Sequence, residues 1–166
     1  MGLRFTSAAD YATRAMIHLA CLPEGAQVLR DEIATAERIP SSFMAKILRS
    51  LVRAQLLRSA RGVNGGFALA RSPMDISMLD IVEAVEGPIH LTECSTNVED
   101  CDRGPTCPAA YVWGEVQQAI CGILGRTSLE DLVSAPRRNG RVLGPRLRVV
   151  EVHANNGQRT GDMSGS

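Results

Sequence analysis

The 166 residues carry 18 Lys and Arg against 18 Asp and Glu, a net charge of zero that argues against a purely nonspecific polyanion binder. Hydrophobic residues make up 45% and aromatics only 4%, so the expected core is aliphatic, built from Leu, Ile, Val, Met and Ala. No apolar run reaches membrane-spanning length and the opening "MGLRFTSAADYATRAM" lacks a secretory core, so the expectation is a cytoplasmic protein without a membrane partner.

In chain order, a first helix begins near Thr6 or Ser7, with Tyr11, Ala15, Ile17 and Leu19 supplying its apolar side. "CLPEGAQ" ends it through Pro23 and Gly25. A short helix over 30–37 leads through Arg38-Ile39-Pro40 to a third, for which Ser41 or Ser42 is the expected cap. That helix repeats apolar residues at Phe43, Ile47 and Leu51 and at Met44, Leu48 and Val52, leaving Lys46, Arg49 and Arg53 outside both rows. Strands over 56–59 and 67–69 flank the glycine-rich tip "RGVNGG". Three helices followed by a glycine-tipped hairpin describe a winged helix-turn-helix spanning 1–72.

Ser77 and Asp80 form a capping box for "SMLDIVEAVEG", which Gly87 stops. After the cysteine-bearing segment 93–108, a helix over 109–125 places Val112, Val116, Ile120 and Leu124 at four-residue intervals, beside Trp113 and Ile123. Such a face calls for a dimer partner, with burial on the chain's own core as the alternative. "TSLEDLV" reads as one more short helix, and 134–166 as a disordered tail. The expected fold is mainly α with a small β-hairpin: a winged helix-turn-helix over 1–72, then a helix, cysteine loop and dimerisation helix over 73–133.

Charge follows this division. Residues 1–72 hold ten basic and five acidic residues, and 73–166 hold eight and thirteen. A basic half beside an acidic half suits a DNA-reading module joined to a control module, although a solvated charged face gives the same counts.

In a helix-turn-helix the second helix enters the major groove by its N-terminal end. That selects Ser41, Ser42, Phe43, Ala45 and Lys46, with Arg49 one turn on, as the DNA-facing set. Phe43 also fits an apolar row, so a core role is its competing reading. Arg61 suits an adjacent minor groove, while Asn64, Gly65 and Gly66 allow close backbone approach or simply make a tight turn. No Ser/His/Asp set or phosphate-cradling loop points to an enzyme.

The cysteines are spaced Cys94-x6-Cys101-x5-Cys107. Zinc sites favour close cysteine pairs, which are lacking, and a disulfide would strand one thiol. Three soft ligands on a Gly- and Pro-bearing loop suit an iron–sulfur cluster, with zinc or thiol chemistry still open from spacing alone. Cys21 and Cys121 lie in apolar helices and read as buried filler, and His18 as structural.

The opening "LRFTSAADYATRAM", the turn and helix "RIPSSFMAKILRSL", the wing "RGVNGGFALAR", "MLDIVEAVEG" and the triple-cysteine segment together resemble one family. It is the winged-helix regulators that include the iron–sulfur biogenesis regulator IscR, the nitric-oxide-sensitive NsrR and the iron-responsive RirA. The resemblance runs from about Leu3 to Val133. It implies a dimeric transcription factor, usually a repressor, binding double-stranded DNA and holding a cluster through Cys94, Cys101 and Cys107. Nitric oxide, redox state and iron availability are the implied signals. IscR-like members take a fourth ligand from a histidine whose place here is Ala110. NsrR-like members use an aspartate of the partner subunit's first helix, and Asp10 matches it; His90 is the other candidate. Asp10 favours a 4Fe–4S cluster, with 2Fe–2S the alternative. Ala45 stands where IscR-like members carry an operator-tuning glutamate, so their operator does not transfer.

Overall fold

The computed structural model describes residues 6–61, 65–92 and 107–135, together with the backbone of 137–138 and 141–142. The chain divides into two compact units, Met1–Ser134 and Ala135–Ser166.

In the first unit, helix α1 spans Ser7–Ala20, and Thr6 caps it by accepting a 3.0 Å hydrogen bond from the Ala8 N–H. Its buried face is Ala9, Ala12, Ala15, Met16 and Leu19. The three alanines hold that face close to the helix axis, and α1 packs against α4 (Met78–Glu86). Tyr11 and Ile17 are only half-buried beside this stripe, which Met16 fills instead. Cys21 is exposed, contrary to the expectation of a buried filler. It is the C-cap of α1: its N–H still bonds the Ile17 carbonyl at 3.0 Å, but it lies beyond the buried stripe that ends at Leu19.

Helix α2 (Arg30–Glu37) closes on Arg38, whose φ of 56° is left-handed. The Ile39 N–H then bonds the Ala34 carbonyl at 2.9 Å and brings the chain into α3 (Ser41–Arg53). Neither serine caps α3: Pro40 holds that position, and the Ser41 hydroxyl instead donates to Asp31 Oδ1 at 2.5 Å. Met44, Ile47, Leu48 and Leu51 form the buried stripe of α3, at the i, i+3, i+4, i+7 spacing of a core-facing helix.

Strands β1 (Leu57–Ala60) and β2 (Gly66–Leu69) form the antiparallel wing, with Leu57 opposite Leu69 and Ala60 opposite Gly66. Val28 adds to its edge: Val28 N–H bonds Phe67 O at 3.0 Å and Phe67 N–H bonds Val28 O at 2.9 Å. A β-carbon at Gly66 would stand 2.8 Å from the Val28 carbonyl oxygen, and neither backbone can yield without losing this bridge. Gly66→Ala is therefore expected to cost about 1–3 kcal/mol through overpacking, read as a lower denaturation midpoint at unchanged slope.

A 3-10 turn (Pro73–Asp75) leads to α4, which carries the expected capping box. Ser77 Oγ accepts from Asp80 N–H at 3.0 Å, and Asp80 Oδ2 accepts from Ser77 N–H at 2.9 Å. Helices α5 (Pro108–Arg126) and α6 (Leu129–Ser134) complete the unit. Leu129 is fully buried in the main core with Met16, Met44, Leu48 and Ile76. Bonds of 2.8 Å from Met78 N–H to Thr127 O and from Leu129 N–H to Ile76 O fasten the α5–α6 junction to the start of α4.

In the second unit, β3 (Arg137–Arg138) pairs antiparallel with β4 (Arg141–Val142). These strands stand within the span whose composition suggested disorder.

Candidate nucleic-acid interface and cysteine site

Opposite its buried stripe, α3 exposes Ser42, Lys46, Arg49 and Arg53, a row at i, i+4, i+7, i+11. Ser41 and Phe43 are also exposed, Ala45 is half-buried, and Arg61 is exposed beside the wing. Among the described residues, Lys46, Arg49 and Arg61 have no acidic partner, so these charges are uncommitted. Gly65 is half-buried and Gly66 lies against Val28, while Asn64 falls outside the described residues.

Phe43 is not a core residue. It is 38% exposed and is held at the surface by Tyr11, edge to face at 5.7 Å. The guanidinium of Arg14 lies 5.8 Å from the Tyr11 ring centre, completing a short stack at the start of α3.

Sequence reasoning missed the contribution of α2. Arg30 Nε donates to Asp31 Oδ1 at 2.9 Å, and Asp31 also receives the Ser41 hydroxyl. The hydrogen bond from Arg30, and then that from Ser41, hold the Asp31 carboxyl below its ordinary range. The start of α2 thus sets the orientation of the first residue of α3. Adjacent Arg30 and Asp31 were visible in the sequence, but the fold was needed to bring Ser41 to them.

Of the cysteines expected to hold a cluster, Cys94 and Cys101 lie outside the described residues. Cys107 is half-buried at the N-cap of α5 with Pro108 in the first turn, where free N–H groups favour negative charge. The segment leading to Cys94 is tied to α5 as well, because Leu91 N–H donates to Gln117 Oε1 at 3.3 Å. Both ends of the cysteine loop are therefore fixed on one helix. Among the described residues alone, no three His, Cys, Asp or Glu side chains gather around a metal-sized site.

Asp10 stands in the first turn of α1 with its side chain 64% exposed, its Oδ2 lying 3.5 Å from Arg14 Nη1. Arg14 continues across the fold: its Nε donates to Glu37 Oε2 at 3.3 Å and its Nη2 to the Glu37 carbonyl. His18 Nδ1 meets Glu37 Oε1 at 3.2 Å, consistent with a structural role. An unbroken line of contacts thus joins Asp10 to the last residue of α2. His90, the other fourth-ligand candidate, is exposed. At the N-terminus of α1, Glu86 accepts from the Thr6 N–H at 3.1 Å and from the Thr6 hydroxyl.

The apolar face of α5 divides along its length. Val112 and Trp113 are 55% and 45% exposed, and Val116 and Ile123 are exposed too. Ile120 and Leu124 instead pack with Cys121 on the buried Ala9, Val82 and Ile89. Two of the six residues expected at a dimer interface therefore also serve the chain's own core.

The family model described as "Rrf2: Iron-dependent Transcriptional regulator" matches residues 5–135. The chain belongs to the Rrf2 family. An HTH-type transcriptional regulator of Mycobacterium tuberculosis is 34% identical over 136 residues, covering 78% of this chain and 81% of that one. Among solved structures, CymR, the global cysteine regulator of B. subtilis, superposes with a TM-score of 0.65 at 26% identity, covering 80% of this chain and 98% of that one. IscR of T. potens gives a TM-score of 0.64 at 27% identity, covering 80% and 88%. This Rrf2 protein is accordingly a DNA-binding transcriptional regulator of winged-helix type, and its relatives are regulators rather than enzymes. Among its described residues no helix is long and apolar enough to cross a membrane.

Proposed function

We propose that this Rrf2 protein is a dimeric repressor whose operator affinity is set by an iron–sulfur cluster held by Cys94, Cys101 and Cys107. The carrying observation is the three-thiol segment ending at the N-cap of α5 with both of its flanks fastened to that helix. The donor set fits the group: three soft thiolates leave one position for a weaker ligand. Asp10 of the partner subunit is our choice for it, since its carboxylate is exposed and its one ion pair among the described residues, with Arg14, is at the surface. We favour a 4Fe–4S cluster on that ground. When bound, the cluster supplies iron that nitric oxide, oxygen or iron depletion can alter.

This chain's own residues carry the consequence to DNA. Arg14 is shared between Asp10 and Glu37. With Asp10 drawn elsewhere, Glu37 remains as the ion-pair partner of Arg14, at the end of the helix whose first turn receives the Ser41 hydroxyl of α3. Ser41, Ser42, Phe43, Ala45, Lys46 and Arg49 on α3, with Arg61, Asn64, Gly65 and Gly66 on the wing, form the proposed DNA surface. Val112, Trp113, Val116, Ile120, Ile123 and Leu124 form the proposed dimer seam.

Protein purified without oxygen is expected to be brown and to contain iron and acid-labile sulfide in near-equal amounts, with Mössbauer spectra assigning the cluster type. A colourless protein with zinc, or with neither metal nor sulfide, would overturn the cluster reading. It would favour the second reading, a regulator of the same fold whose cysteines act as thiols or hold zinc, as the likeness in fold to CymR allows.

A further inference from the structure

The cancelling charges of this chain conceal a division between its two units. Residues 1–134 hold 12 basic and 16 acidic residues, a balance of −4. Residues 135–166 hold six arginines against Glu151 and Asp162, a balance of +4. The unit carrying the helix-turn-helix is therefore acidic as a whole, which is unfavourable for approach to a polyanion. Most of the opposing charge is concentrated further: five arginines and no acidic residue lie between Arg137 and Arg148.

The backbone of this segment adds a second, independent observation. Strands β3 and β4 pair with Arg138 opposite Arg141 and Arg137 opposite Val142, and Asn139-Gly140 separates them. Asn-Gly is the dipeptide that most favours a two-residue hairpin connection. Like charges at directly opposed positions destabilise a two-stranded pair, and strands this short are not stable in isolation. A ribbon with arginines at opposed register positions gains from an anionic partner that neutralises their charge.

We propose that the β3–β4 ribbon is a second nucleic-acid-binding element, with Arg137, Arg138 and Arg141 supplying charge to the phosphate backbone of double-stranded DNA. DNA is the favoured partner because the chain already binds it through the helix-turn-helix. Being part of the same chain, the arginines then meet phosphates at the high effective concentration that covalent linkage provides. Guanidinium forks suit phosphate oxygens, and contacts of this kind add affinity without reading sequence. The proposal stands apart from the cysteine site and holds whether or not a cluster is bound.

The test compares the full chain with its R137Q/R138Q/R141Q variant on two duplexes across a salt series. One duplex is of mixed sequence and the other is a site selected by the full chain from a random pool. The logarithmic salt slope of the variant is expected to be shallower by about 2–3, because each phosphate contact contributes about 0.9. Both duplexes should weaken by the same factor. The R137K/R138K/R141K variant should keep most of the slope, and circular dichroism should show all three proteins equally folded. An unchanged slope would overturn the proposal, leaving the arginines as a solubilising tail. Loss confined to the selected site would also overturn it, by making these residues base readers. Binding to anionic phospholipid vesicles that the glutamine variant loses, with DNA slopes intact, would assign the arm to lipid instead.

Discussion

Cys107→Ala is expected to abolish iron and sulfide loading while leaving the fold intact. Cys107 is a half-buried N-cap whose side chain makes no capping hydrogen bond, so its removal takes little from the core. As a ligand its loss is far larger: two thiolates remain, separated by six residues on a loop that loses its third point of attachment. The expected readings are iron and sulfide at background levels and an unfolding free energy within about 1 kcal/mol of the parent. Operator affinity should no longer respond to nitric oxide, whichever form of the protein binds more tightly. A variant that retained full iron content would sink the three-thiol cradle, whereas one that lost iron but still responded would place the sensor elsewhere in the chain.

Arg14→Ala tests the link between that site and DNA. The guanidinium satisfies the Glu37 carboxylate and carbonyl, and it lies over Tyr11, which in turn supports Phe43 at the start of α3. Its removal leaves the Glu37 carbonyl without its donor and the part-buried carboxylate with His18 alone, at an expected cost of about 1–3 kcal/mol. The functional effect should exceed the structural one. Iron loading should persist, yet the difference in operator affinity between loaded and unloaded protein should collapse, because Asp10 no longer shares a partner with α2. Glu37→Gln keeps the Arg14 contact to the carbonyl and should retain part of that difference. If Arg14→Ala preserved the full difference, the route from Asp10 to the helix-turn-helix would have to run elsewhere.

The winged helix-turn-helix was legible because its signals are local. The Thr6 start, the connection through Arg38-Ile39-Pro40 and the period of α3 each act within a few residues, as does the Ser77–Asp80 box that follows the wing. What the sequence obscured depended on residues distant along the chain. Ser41 was free to be a cap until the fold placed Asp31 beside it. Phe43 satisfied the apolar period, yet Tyr11 holds it at the surface. Cys21 was misread because the boundary of α1 falls on it. The four-residue repeat of α5 is uniform, but only its later members meet Ala9, Val82 and Ile89. The pairing of Asp10 with Arg14 is an i, i+4 relation visible in sequence, whereas the onward step to Glu37 spans 23 residues and required the structure.

Leu129 and its backbone bonds give α5 the mechanics of a cantilever. The helix is clamped near its C-terminal end, where Ile120 and Leu124 sit on the core and Leu129 is driven into it. From Pro108 to Val116 it projects for about 13 Å with its apolar side uncovered. A change at Cys107 is therefore expected to displace the free end of the rod more than its anchored end, where Leu129 shares a core with Met16 and Leu48.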